Sequence, residues 1–168
     1  MKKVLATPRR RRAARRARAG DHGARGCHAG QEQREQGGAC PVRIAKGRNE
    51  IRPDGQRGAS DPDGRGGFTA LIANNQVCFG LTVDNIATPV AAHIHRGKPS
   101  ENRPIVVTFA PLPGSGDPGA SGGCVPPDGG NSAVLEEILK HPNHFYANVH
   151  TGAFPGGAVR GQLKHRRP

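Results

Sequence analysis

Ala91-Ala92-His93-Ile94-His95-Arg96-Gly97 and Tyr146-Ala147-Asn148-Val149-His150-Thr151 are the two stretches on which the reading of this chain turns. In an extended segment successive side chains point to opposite faces, so His93 and His95 leave one side of a strand and Ile94 the other. The second stretch repeats the pattern. Tyr146, Asn148 and His150 share one face, while Phe145, Ala147 and Val149 form an apolar face suited to a core. Two such strands side by side bring three imidazoles together.

Working outward from them, the flanking segments are also strand-like. Phe68, Ala70 and Ile72 alternate with Thr69, Leu71 and Ala73, and Val77, Phe79, Leu81 and Val83 line one face of the next run. Between the two, Asn74-Asn75 tolerates the positive φ of a tight hairpin turn. Residues 104–109 are β-branched and continuous, which predicts a buried strand. Residues 158–163 predict a last strand antiparallel to 145–151. Asn131-Ser132 is the expected cap of a short helix over 133–140, with Val134, Leu135, Ile138 and Leu139 as its apolar stripe and His141-Pro142 as its end.

Residues 110–130 hold 7 Gly and 5 Pro and read as a long loop that something must tether. A disulfide from Cys124 to Cys78 in the second strand is the natural clamp. Closing a loop of about 47 residues removes roughly 4 kcal/mol of entropy from the unfolded chain on the chain-entropy model. Two unpaired thiols are the alternative in a reducing cytosol.

The 168 residues carry a formal charge of +12, but residues 1–60 hold 16 Lys+Arg against 5 Asp+Glu, and residues 61–168 hold 9 against 8. The basic excess therefore says little about what the C-terminal part binds. Residues 1–60 are expected to be disordered and 61–168 to form one domain, beginning at the turn Asp61-Pro62-Asp63-Gly64. Met1–Thr7 opens like a secretory signal, yet the arginine run of residues 9–18 stands where an apolar segment is needed, so the chain as written carries no usable export signal. Residues 9–18 have three readings: a basic arm that binds nucleic acid non-specifically through phosphates, a solvated charge run, or part of a segment, about 8–59, read in the wrong frame. The last is preferred because it explains a signal-like start that dissolves into arginine. No run approaches the length of a membrane-spanning helix.

Asp61-Pro62-Asp63-Gly64, Ala92-His93-Ile94-His95-Arg96-Gly97, Pro104-Ile105-Val106-Val107, Phe145–Thr151, Phe154-Pro155-Gly156-Gly157 and Val159-Arg160-Gly161-Gln162-Leu163 together resemble the chordin-domain (CHRD) family over residues 61–168. His93, His95, Gly97, Asn148, His150, Arg160 and Gly161 fall on its motifs, and its bacterial members place cysteines like Cys78 and Cys124. The resemblance implies an extracellular, all-β, antiparallel, Greek-key-like sandwich, loosely similar to Cu,Zn superoxide dismutase and immunoglobulin-like domains, with one short helix. It implies a secreted module whose partner is a protein or cell-surface ligand. Family members begin with a further strand and an Asn-Glu-Val-Pro-like segment, of which Asn49-Glu50-Ile51-Arg52-Pro53 is only a faint echo, so the sequence leaves the presence of the first strand open.

His93, His95 and His150 are adequate first ligands for Cu or Zn, since imidazole suits both metals and ligands two apart on one face can chelate. The superoxide dismutase analogy supports this but stops at three histidines, with no fourth ligand and no bridging group for a second metal. The commoner role for such histidines is hydrogen bonding to backbone and loop groups, Arg96 and Asn148 included, and this role takes precedence at the level of sequence. Arg96 and Arg160 are expected to pair with carboxylates such as Asp84 or Glu136. Ser100, Ser115, Ser121 and Ser132 have no base at a recognisable spacing, and the glycines of 114–123 lack the strand, lysine and helix of a phosphate loop. The expectation is a protein that is not an enzyme.

Overall fold

A computed structural model describes residues 42–51, 55–58 and 60–165. The expected alternation becomes eight strands: β1 (Val42–Lys46), β2 (Arg65–Ala73), β3 (Gln76–Asp84), β4 (Pro89–Arg96), β5 (Ile105–Thr108), β6 (Gly119–Val125), β7 (Phe145–Thr151) and β8 (Val159–Gln162). One helix, α1 (Ala133–Lys140), precedes β7. The strands form a single antiparallel sheet in the order β5-β4-β7-β8-β1-β2-β3-β6. The sheet folds over on itself, so β1, β2, β3 and β6 face β4, β5, β7 and β8 in the manner of a sandwich. The two layers are continuous through β1 and β8, where Lys46 pairs with Arg160. The chain crosses between layers at β3–β4, β5–β6 and β6–β7, a Greek-key-like path.

Alternation decides what lies between the layers. Phe68, Ala70 and Ile72 of β2 and Val77, Phe79, Leu81 and Val83 of β3 are buried, as are Ala92 and Ile94 of β4 and Ala147 and Val149 of β7. Asn74 and Asn75 sit at φ 51° and 56°, the two positive values of a type I′ hairpin turn. Phe109, just past β5, closes the core with ring centroids 5.1 Å from Phe68 and 4.6 Å from Phe79. Val134, Leu135 and Ile138 of α1 join the same core, and Arg96 bonds to Glu137 across the helix–sheet seam. Among the described residues no helix is long and apolar enough to cross a membrane.

Several expectations change here. Order does not begin at Asp61, because β1 precedes it and pairs with β2 from Val42↔Thr69 to Lys46↔Arg65. The first strand, whose presence the sequence left open, is therefore there, held by backbone pairing with β2. Residues 110–130 are not all loop. They contain β6, whose glycines pass close to β3, and Cys124 stands directly opposite Cys78 with a disulfide between them. The bond holds an edge strand to its neighbour where the sequence suggested a loop tether. The run at 104–109 gives an edge strand, with Ile105 41% exposed, because among the described residues nothing pairs beyond β5. Ser132 makes no side-chain cap bond to α1. Residues 1–41, with the basic run 9–18, lie outside the described residues.

Candidate metal centre

β4 and β7 are neighbours, with His93 opposite Asn148, His95 opposite Tyr146 and Ala91 opposite His150. Since Ala92, Ile94, Ala147 and Val149 fill the core, the other face of the sheet carries His93, His95, Tyr146, Asn148 and His150, with Arg160 beside them on β8. Loops at 97–104 and 152–157 fold over this face, and Asn148 is only 4% exposed.

The three histidines that the strand pattern singled out converge. One candidate ligand atom from each of His93, His95 and His150 lies within 4.8 Å of the others. A tetrahedral ion with bonds of about 2.0–2.1 Å holds its ligands roughly 3.4 Å apart. His93 Nδ1 and His150 Nε2 are 3.2 Å apart, so the cluster needs only modest closure to hold an ion.

Their hydrogen bonds settle the tautomers. His95 Nδ1 lies 2.8 Å from the Arg103 carbonyl and His150 Nδ1 lies 2.8 Å from the Pro155 carbonyl. A carbonyl only accepts, so each Nδ1 carries the proton and each Nε2 presents a bare lone pair. His150 Nε2 can accept from His93 Nδ1, while His95 interacts with the Asn148 side chain, and His95 Nε2 and Asn148 Oδ1 are both buried without a further donor. Fixing the outer N–H on a backbone carbonyl is the way metal-binding histidines are oriented. All three imidazoles are also held neutral. Burial lowers His93 to about 4, helped by the nearby His150 and His95 and opposed by Asp128. Burial lowers His95 and His150 as well, against the pull of the Arg103 and Pro155 carbonyls.

A family model for the CHRD domain matches residues 43–163. The chain belongs to the CHRD family. No curated protein and no solved structure gives a match. The match begins at Arg43 and so takes in β1, which means that a frame error cannot extend to residue 59, whatever holds before the described residues. The CHRD motif positions named from the sequence fall around one face of the domain. Gly97, at φ 148°, lies where an added Cβ would sit 3.0 Å from the Tyr146 ring, and its carbonyl accepts from Gln162 Nε2 at 2.7 Å. Gly161 is on the core side of β8, paired with Ala147.

A buried polar layer supports the histidines of the CHRD domain. Arg160, 1% exposed, pairs with neither Asp84 nor Glu136. It donates to Asn102 Oδ1 at 2.9 Å, to the Lys98 carbonyl at 3.0 Å and to the Glu101 carbonyl at 2.8 Å. These bonds hold the loop whose next carbonyl, at Arg103, orients His95. Glu50, 3% exposed, belongs to this buried layer, and the sequence showed it only as an echo. Burial raises its carboxyl to about 7, with Arg160 acting the other way. A Cβ at Gly157, which has φ 131°, would lie 2.4 Å from Glu50 Oε1, so glycine lets the loop bearing Pro155 pass the carboxyl group.

Proposed function

We propose that this CHRD domain is a non-catalytic, exported binding module that holds one Zn(II) or Cu(II) ion on His93, His95 and His150. The observation that carries the reading is the convergence of three imidazoles whose ligand atoms lie within 4.8 Å of one another, two of them oriented through Nδ1 by the Arg103 and Pro155 carbonyls. A neutral imidazole whose far nitrogen is pinned on a backbone carbonyl is a prepared ligand. Three imidazoles suit either metal. Export is supported by the Cys78–Cys124 disulfide, which persists in oxidising compartments, and by the family relationship. A protein or cell-surface partner fits the same setting. The CHRD family is not a family of enzymes, and no serine or cysteine in the described residues is paired with a histidine for nucleophilic work.

Calorimetry of the purified protein with Zn(II) and with Cu(II) tests the proposal. One equivalent is expected to bind, and His95→Ala is expected to abolish binding while leaving the far-ultraviolet circular dichroism intact. Wild-type protein that takes up neither metal returns the three histidines to a structural role. A His95→Ala variant that unfolds in the absence of metal does the same.

A further inference from the structure

Beside the histidines lies a cavity of about 580 Å³, bounded in part by His95, Asn102, Arg103, Tyr146, Asn148 and His150. Resting on the metal reading, we infer that an ion on His93, His95 and His150 keeps its fourth position open into this cavity and takes a carboxylate there. Three observations lead to it. The cluster, among the described residues, consists of three neutral imidazoles with no carboxylate or thiolate among them, so a divalent ion keeps its full charge and favours an anionic fourth ligand. His95 and His150 line the cavity and His93 does not, so the ion's unliganded side is toward the open space. That space is far larger than the roughly 30 Å³ taken by one water.

The polar groups at the cavity fit a carboxylate better than a phosphate. Asn148 is 4% exposed and its Oδ1 lacks a donor. A half-turn of its amide presents N–H to the second oxygen of a carboxylate whose first oxygen is on the metal. Arg103 supplies one positive charge at the rim, held only by Glu101 at 3.5 Å with its side chain 57% exposed. A single, shared arginine matches one negative charge, and a phosphate dianion asks for more. In the exchange one metal–water bond breaks and one metal–oxygen bond to the carboxylate forms, with no change in redox state.

The carboxylate has two sources, a small free acid or an acidic side chain of a partner, and one experiment separates them. The full chain is loaded with Co(II), whose visible absorption reports its coordination, and titrated at constant ionic strength with acetate and with N-acetylated, C-amidated Gly-Glu-Gly and Gly-Gln-Gly, so that the glutamate side chain is the only peptide carboxylate. Saturable spectral change is expected with acetate and with the glutamyl peptide and not with the glutaminyl one, and Arg103→Gln should weaken the response several-fold. A response to acetate alone supports the small free acid as the source. Failure to bind Co(II) at all defeats the metal reading itself. Co(II) that binds with a spectrum indifferent to acetate overturns the open position and leaves the metal reading standing. A spectrum that answers to acetate only after Asn148→Ser assigns the fourth position to the Asn148 oxygen, which also overturns the inference.

Discussion

The guanidinium carbon of Arg160 lies 3.3 Å from the centre of the Tyr146 ring, and the His95 ring stacks on the same tyrosine with centroids 4.8 Å apart and planes 4° from parallel. β7 runs between β4 and β8, so Tyr146 has His95 as its neighbour on one side and Arg160 on the other. A buried cation thus braces, through one aromatic ring and one loop, a histidine of the candidate metal centre. Arg160→Met keeps most of the volume but leaves the Lys98 and Glu101 carbonyls and Asn102 Oδ1 without their donor. The expected cost is about 3 kcal/mol in denaturant-induced unfolding. Metal affinity should fall with it, and amide exchange should rise across residues 98–103. A variant with unchanged stability and unchanged exchange there would show that the loop is held by other contacts.

The metal-free protein should have a stability profile in which Glu50 opposes the histidines, His93 foremost. His93 titrates near 4 when folded, against an ordinary value of 6.5, so between those values the unfolded chain binds more protons. Its contribution is present above pH 6.5 and is lost as pH falls toward 4. Glu50 titrates near 7 when folded, against 4.5, so between those values the folded state binds more protons. Its contribution is present below pH 4.5 and is lost as pH rises through 7, by about 3 kcal/mol at most. Over pH 4.5–6.5 Glu50 offsets part of the slope set by His93, His95 and His150. Denaturant midpoints should therefore rise with pH across 4–6.5 more steeply in Glu50→Gln than in the wild type, and less steeply in His93→Gln. The same slope in both variants would contradict these assignments.

Reduction of Cys78–Cys124 should loosen one edge of the sheet and spare the metal centre. The bond closes 46 residues and joins directly paired positions of β3 and β6. Loss of about 2–4 kcal/mol is expected in denaturant, with β6 amides exchanging first and with metal stoichiometry retained. Early exchange at β4 and β7 would mean that the disulfide organises more than its own edge.

A chain shortened to begin at Asp61 loses β1, and with it the partner of β2 and β8 at the join between the layers. It also loses Asn49, which donates to the Arg160 carbonyl at 3.1 Å, and Ile51, whose carbonyl accepts from Asn102 at 2.9 Å. Two newly exposed strand edges favour association. Sedimentation should show aggregates, and any monomer should unfold at lower denaturant than the full chain. A monomeric fragment with an unchanged midpoint would restore residue 61 as the domain boundary.

Alternation alone was enough to locate the strands from Phe68 onward, to orient the core residues and to place His93 and His95 on one face and His150 on the matching face of a second strand, because a period of two is a local property of the chain. The pairing of Cys78 with Cys124 was legible for a similar reason, as the described domain holds no other cysteine. Three features depended on contacts remote in sequence. β1 is a strand because β2 and β8 supply its hydrogen bonds, and β6 is a strand because β3 does; β1 is only five residues long, and β6 has no apolar alternation to announce it. Arg160 turned from the expected surface ion pair to a buried brace because the loop at 98–102 folds over it. The tautomers of His95 and His150 were decided by the carbonyls of Arg103 and Pro155, and a backbone carbonyl leaves no mark in the sequence. The histidines were chosen locally, and what makes them a possible centre is the closure of two loops above them.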